Sequence, residues 1–320
     1  MMRTRSDGGN RNQQVAAGRS ESSPPQSLGA LMEASWLWWG LGSALGLATS
    51  DALLKRYFTH LSPYGMTLVR LGYAVPLLSL GWLWTPLPDL DGTFFWVVAA
   101  ALPLEAAASL LYMAALRTAP LSLCAPMLAL TPLLLILTGR LLLQESLHLW
   151  GIAGIMSIVV GSYLLNLQEY PQGWLAPWVA LWRRPGPRWM LLAAALYAVT
   201  SALGKLAVLH SSPTFFGLFY PTVFGGVMLT GYPWSSRPGR QLSRRLGWGL
   251  LVGGFLAISI LCHFHGIQQA PAAYLIAVKR TSLLFSVLYG GLWLKEEHLA
   301  ARALGAGCMA AGVILISLWG

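Results

Sequence analysis

The 320-residue chain contains few charged side chains, and this shortage excludes an ordinary soluble domain. Charged residues make up 10% of the sequence and hydrophobic residues 56%, whereas soluble domains carry about 25% charged residues. The three cysteines, Cys124, Cys262 and Cys308, lie in apolar stretches without the spacing of a zinc site or a disulfide framework. With 15 tryptophans and 34 glycines, the composition indicates a multispan membrane protein.

The sequence also lacks the motifs of enzymes and ATP-driven pumps. It contains no phosphate-binding Gly-rich loop followed by Lys-Ser/Thr, no HExxH and no Ser/His or paired-aspartate arrangement. We therefore expect no enzymatic activity, no cofactor and no metal site. The net charge of +10 is scattered over the N-terminal tail and short loops. This scatter argues against a nucleic-acid partner and for attraction to an anionic lipid bilayer.

Ten stretches of the chain are long and apolar enough to span a bilayer as helices. These predicted spans, numbered one to ten, are 33–57, 62–84, 93–117, 119–140, 147–167, 187–209, 213–233, 247–268, 271–293 and 299–319. Residues 1–32 are polar, rich in Gly, Ser and Pro, and without the apolar core of a signal peptide, so we predict a disordered tail. The linker 168–186 contains a Trp-rich segment that predicts a short interfacial helix.

The two halves of the chain match one another at an offset of 151 residues. The matches include Ala119-Pro120 with Ala270-Pro271, Glu145 with Glu296, and Gly154 and Gly161 with Gly305 and Gly312. Each half, 33–167 and 187–320, holds five spans. Because five is odd, the second half enters the membrane from the opposite side, and the repeats are inverted. We therefore predict an all-α polytopic membrane protein, ten transmembrane helices in two inverted five-helix repeats, an organisation typical of secondary transporters with a site near the midplane.

The stretches "APLSLCAPMLALTPLLLILTGRLLLQESLHLWGIAGIMSIVVGSYLL" (119–165) and "APAAYLIAVKRTSLLFSVLYGGLWLKEEHLAARALGAGCMAAGVILIS" (270–317) resemble the two EamA-type repeats of the drug/metabolite transporter superfamily. The resemblance covers 33–319. It implies ten helices in the cell membrane and export or exchange of a small metabolite. The family often has a Lys late in the first helix of each repeat, matched by Lys55 and Lys205. Its Arg early in the second helix is matched by Arg70, whereas Tyr220 stands there in the second repeat.

Ionisable side chains inside the predicted spans are candidates for the binding site, because a charge at mid-bilayer costs roughly 2.5–3.5 kcal/mol. Glu105, near the middle of span three, is expected either to bind a coupling proton or to pair with Arg70, Lys279 or Arg280. Asp51 lies four residues before Lys55, a spacing that favours a local ion pair. Lys55 and Lys205 either reach water at the helix ends or contact the substrate.

Lys279 and Arg280 lie side by side early in span nine. On a continuous helix Lys279 shares a polar stripe with Ser282 and Ser286, which suits a cavity. Arg280 lies about 100° away among apolar residues, so we expect it to need a fixed partner such as Glu105. The fork of the Arg70 guanidinium suits a carboxylate or phosphate.

Two further groups complete the candidates. Tyr112 of the first repeat and its equivalent His263 in the second are candidates for the cavity lining, with packing in the core as the alternative for His263. Tyr220, which stands where the first repeat has Arg70, is a further cavity candidate. Glu145 and Glu296, in the turns before spans five and ten, are expected to satisfy the free N–H groups at a helix start.

The glycines of spans five and ten serve either a dimer contact or internal packing, and the oligomeric state is left open.

These observations predict a secondary transporter, an exporter or exchanger, for a small polar metabolite with an anionic group. Lys279 and Arg70 would contact that group, and Glu105 would couple transport to protons or hold the cations. The alternative is a flippase for a lipid-linked carrier, whose phosphate would bind the same cations. Arginines and lysines concentrate at the turns after odd-numbered spans, which places both termini outside the cell, whereas the resemblance implies both inside.

Overall fold

A computed structural model describes residues 35–119, 121–166, 175–230, 245–285, 289 and 299–320. Its helices are α1 (Ser35–Phe58), α2 (Pro63–Ser79), α3 (Gly92–Thr118), α4 (Leu121–Ala129), α5 (Thr131–Leu143), α6 (Leu149–Asn166), α7 (Ala176–Arg183), α8 (Pro185–Leu209), α9 (Pro213–Thr230), α10 (Leu246–Gln269), α11 (Ala272–Lys279) and α12 (Leu299–Trp319). A 3-10 turn, Leu80–Leu83, follows α2. Within these residues there is no strand, so the all-α prediction is confirmed. The predicted tail lies outside the described residues.

Several of the helices have the length and the surface of membrane spans. Within the described part of the chain, five stretches qualify by length and composition: Pro63–Leu83, Gly92–Thr118, Pro126–Leu143, Pro185–Leu209 and Leu246–Gln269. Large apolar side chains such as Trp96, Leu137 and Leu229 are exposed on their outer faces. In water such a surface would be costly, whereas lipid tails accept it.

The fourth and ninth predicted spans differ from the prediction of one continuous helix each. In the fourth, α4 ends at Ala129 and α5 begins at Thr131, where the Thr131 hydroxyl donates to the Leu128 carbonyl at 2.7 Å. In the ninth, α11 ends at Lys279 and the Thr281 hydroxyl donates to the Val278 carbonyl, also at 2.7 Å. Such hydroxyl bonds compete with the helical hydrogen-bond ladder. Both repeats therefore interrupt their fourth helix within one residue of the equivalent position.

The two repeats pack against each other through reciprocal pairs of helices. The first helix of each repeat lies against the third helix of the other, α1 on α10 and α8 on α3, and the two fifth helices, α6 and α12, lie against each other. A Cβ on Gly154 would lie 2.7 Å from the Gly312 carbonyl oxygen, and one on Gly161 would lie 2.6 Å from that of Gly305. The matched glycines Gly154, Gly161, Gly305 and Gly312 therefore serve internal packing.

The linker prediction is only partly covered by the structure. The short helix α7 is present, and its Trp178 and Trp182 side chains are exposed. Trp174 lies outside the described residues. A helix with exposed tryptophans is what an interfacial segment requires, and its position at a membrane surface stays a prediction.

Candidate functional site

A cavity of about 240 Å³ lies between the two repeats. Helices α1 to α4 of the first repeat and α8 to α11 of the second supply its wall. It is lined near mid-helix on α1 by Leu47, on α3 by Glu105 and on α8 by Tyr197. Secondary transporters built from inverted repeats hold their substrates in such a position between the repeats.

The end of α11 brings Lys279 and Arg280 to the same cavity. Arg280 caps the helix and is 8% exposed. The prediction that Arg280 pairs with a fixed acidic partner is wrong for the described residues, since Arg280 lines the cavity together with Lys279. Among the described residues, no carboxylate lies within 4.0 Å of either cation, Glu105 included. The Arg280 Nε atom is buried without a hydrogen-bond partner.

Arg70 also lines the cavity, but it already has a counter-charge. Its Nη1 lies 3.2 Å from Oδ1 of Asp51, and the Tyr112 hydroxyl donates to Oδ2 of the same carboxylate at 2.9 Å. The predicted local pair between Asp51 and Lys55 is therefore wrong. Lys55 is exposed on the last turn of α1 and reaches water, whereas the Arg70 side chain, only 13% exposed, needs the carboxylate.

Glu105 lies in the cavity wall on α3. Thr200, Lys279 and Arg70 line the same cavity, and the charges of the two cations act on the Glu105 carboxylate. Within the described part of the chain it has no ion-pair partner at 4.0 Å or less. The alternative that Glu105 forms a fixed pair with Arg70, Lys279 or Arg280 is therefore wrong for this structure, and its role in proton coupling stays a prediction.

Three further candidates, Tyr112, Tyr220 and His263, line the cavity from both repeats. The Tyr220 hydroxyl and the Nδ1 atom of His263 are buried without a hydrogen-bond partner in the described structure. Unsatisfied buried polar atoms are uncommon in native proteins and call for an explanation. A ligand in the cavity would provide one.

Three further described candidates, Ser282, Lys55 and Lys205, are not among the residues that line the cavity. Ser282 is buried, and Ser286 lies outside the described residues. Lys205 is buried, and its Nζ lies 2.5 Å from Oε1 of Glu145. Substrate contact by Lys55 or Lys205 is therefore not supported by the structure, because one faces solvent and the other is held by an acid.

Glu145 binds the start of a helix as predicted, but the helix belongs to the second repeat. The backbone N–H of Ala272 donates to Oε2 of Glu145 at 3.0 Å, so the carboxylate caps α11 of the second repeat rather than α6, which follows it in sequence. Helix α5 ends at Leu143, and the next residue, Gln144, has the left-handed conformation with φ at 55°. This change in chain direction places Glu145 at the start of α11. The equivalent Glu296 lies outside the described residues.

Tyr220 belongs to an aromatic wall on α9 whose other two members, Phe216 and Phe224, were not predicted from the sequence. Phe216, Tyr220 and Phe224 line the cavity at a spacing of four residues. The rings of Phe216 and Tyr220 stack at 5.0 Å between centroids, and those of Tyr220 and Phe224 at 6.5 Å. The spacing of four residues could have predicted that these aromatic side chains share one helix face. No sequence pattern pointed to Tyr197 and Thr200, which also line the cavity.

An all-helical membrane fold with inverted repeats around a central cavity defines a transporter architecture. The chain belongs to the EamA-like transporter family, whose model matches residues 34–167 and 184–318. It is therefore a multi-pass membrane protein and a membrane transporter of the drug/metabolite transporter superfamily. Members of the family are transporters and not enzymes, in agreement with the expectation of no enzymatic activity.

Other comparisons add the fold alone. No curated protein matches the chain. Among 29 matching chains of known structure, one crystal structure is similar with a TM-score of 0.67 and 17% sequence identity, over 89% of this chain and 99% of the other.

In the described part of the chain, no group of three or more His, Cys, Asp and Glu side chains is placed to hold a metal ion.

Proposed function

We propose that this transporter carries a small metabolite with an anionic group through the central cavity, by alternating access between the inverted repeats. The supporting observation is the pair of adjacent cations, Lys279 and Arg280, which line the cavity without a carboxylate within 4.0 Å among the described residues. A buried cation without a counter-charge is costly, and an anionic substrate supplies that counter-charge.

The charges around the cavity agree with a substrate of one negative charge. Three cations line it, Arg70, Lys279 and Arg280. Two carboxylates oppose them, Glu105 in the wall and Asp51 behind Arg70. With both carboxylates ionised, one positive charge remains, and a carboxylate or phosphate monoanion balances it. Charge-assisted hydrogen bonds to an oxyanion are short and about twice as strong as neutral ones, so such a group suits the free Arg280 Nε.

The size of the cavity favours a small solute over a lipid-linked carrier. About 240 Å³ lies below the roughly 300–1,000 Å³ of pockets that hold drug-sized ligands. A lipid phosphate would satisfy the same cations, so the flippase remains the alternative outcome. Export or exchange is the direction that we propose, with a proton on Glu105 as the coupling ion.

The thermal stability of the purified protein tests the charge of the substrate. We expect benzoate and phenylphosphate to raise the Tm and benzylamine to leave it unchanged, since a ligand at 100 times its Kd stabilises by about 2.7 kcal/mol. The increase should vanish in Lys279→Met with Arg280→Met and persist in Lys55→Met, a matched lysine outside the cavity. Equal stabilisation by benzylamine would overturn the proposal, and stabilisation by phospholipid headgroups alone would favour the flippase.

The coupling role of Glu105 has a separate test in proteoliposomes. We expect Glu105→Gln to retain exchange of an anion that stabilises the protein and to lose its accumulation driven by a pH gradient, because glutamine cannot carry a proton. Accumulation at the normal level would refute proton binding at this residue.

Orientation in the membrane is tested with Gly8→Cys in a chain whose three cysteines are replaced. We propose that the termini lie in the cytoplasm, as the family resemblance implies, so that a membrane-impermeant thiol reagent should not label intact cells. Labelling of intact cells would support the positive-inside count instead.

A further inference from the structure

The ion pair between Lys205 and Glu145 joins the two repeats at one end of the fold. Lys205 Nζ donates to Oε1 of Glu145 at 2.5 Å and to the Ala270 carbonyl at 2.6 Å. The Glu145 carboxylate also accepts the Ala272 N–H at 3.0 Å. The two charged side chains are 10% and 14% exposed. A lysine of α8, a glutamate after α5 and the first turn of α11 thus form one closed set of contacts.

The backbone around Glu145 is shaped for this contact. Gln144 is the one non-glycine residue with positive φ in the described part of the chain. Its left-handed conformation ends α5, and the Glu145 N–H then donates to the Gly139 carbonyl at 3.2 Å. A non-glycine residue in this conformation is retained only where its surroundings determine it. Here it directs Glu145 across the repeat boundary.

Helix α11 connects this ion pair to the cations of the cavity. Its first residue, Ala272, is bound by Glu145, and its last residue, Lys279, lines the cavity. The eight residues span about 12 Å at 1.5 Å per residue. Ala272 to Val278 are all buried. Since such a short packed helix moves as a unit, a shift at its first turn changes the position of Lys279 and Arg280.

We propose that Lys205 and Glu145 form a gate on the membrane side that carries both chain termini. The turns after spans four, six and eight lie on that side, because each even-numbered span returns the chain to it. The intact pair closes this side and holds α11 in place. Separation of the pair frees the first turn of α11 and opens the cavity toward the termini. The gate rests on the transport function proposed above, and it makes both side chains positioning residues rather than substrate ligands.

The test measures access to the cavity from each side of the membrane and needs no substrate. Ser201, which lines the cavity, is replaced by cysteine in a chain with Cys124, Cys262 and Cys308 changed to alanine. Its reaction rate with a charged, impermeant methanethiosulfonate reagent is measured in vesicles of both orientations. A protease-accessible tag at the C-terminus identifies the side of the termini.

We expect Lys205→Met to raise the rate from the side of the termini and to lower it from the opposite side. The ratio of the two rates should change about tenfold, within the 5- to 150-fold range of coupled equilibria, and Lys205→Arg should restore it. If Lys205→Met does not fold, Glu145→Gln carries the same test. It keeps an acceptor for Lys205 and Ala272, so the expected change is smaller, about fivefold, at the low end of that range.

Two results would overturn the gate. An unchanged ratio means that the ion pair is static, and equal increases from both sides mean that its loss only loosens the fold. Failure of the proposed function is seen separately. If no anion stabilises the protein, the labelling ratio still reports the gate, and if anions bind while the ratio stays constant, the gate alone is wrong.

Discussion

Alanine at Gly305 should destabilise the protein, whereas alanine at Gly307 on the same helix should not. A Cβ at Gly305 would lie 2.6 Å from the Leu165 backbone nitrogen and 2.7 Å from the Gly161 carbonyl oxygen. Both contacts are to backbone, which cannot rotate away as a side chain can, so α6 and α12 must separate. At Gly307 nothing lies within 4 Å of such a Cβ.

The matched pair isolates the cost of overpacking. Alanine gains roughly 0.5–1 kcal/mol over glycine within a helix, and this gain is common to both variants. Their difference is therefore the cost of the clash itself, about 1–3 kcal/mol for an overfilled core. At roughly 2–4 °C per kcal/mol for domains of 150–250 residues, Gly305→Ala should unfold several degrees below Gly307→Ala.

Thermal unfolding in detergent, followed by the fluorescence of the tryptophans, measures both variants in one buffer. Equal unfolding temperatures for the two variants would contradict the close glycine contact between α6 and α12. A lower unfolding temperature for Gly307→Ala would contradict it too, because at that open position alanine brings only its higher helix propensity.

Two further predictions concern the ion pairs. Asp51→Asn should cost about 3 kcal/mol, the low end for a buried pair, because it leaves Arg70, 13% exposed, without its counter-charge. The double variant Asp51→Asn with Arg70→Met should cost less, and a double-mutant cycle that shows additive losses would contradict the pair. At the start of α3, the Phe94 N–H and then His210 hold the pKa of Asp91 below its ordinary value. That stabilisation is present above the unfolded pKa, near 3.9, and is lost as pH falls through the depressed value. Acid titration of the Tm should therefore show a steeper loss in the native chain than in Asp91→Asn, and identical curves would refute the contribution.

Much of the fold was predictable because membrane spans and repeats are properties of the linear sequence. Apolar length predicts each span, and the offset of 151 residues relates Gly154 to Gly305 without reference to three dimensions. The breaks after Ala129 and Lys279 were not predicted. They depend on the carbonyl to which a threonine hydroxyl donates, as with Thr131 and Leu128. The periodicity of apolar residues along the sequence does not predict that hydrogen bond.

The sequence alone determined that cations and acids occur inside the membrane, that the repeats are inverted and that a central site was to be expected. Tertiary structure decided which charges meet. It paired Asp51 with Arg70 rather than with Lys55, and Lys205 with Glu145 rather than with a substrate. The physical reason is that a buried ion selects its partner by distance across helices and by access to water. Both quantities arise only when helices far apart in sequence pack together, and this packing leaves Lys279 and Arg280 facing the cavity.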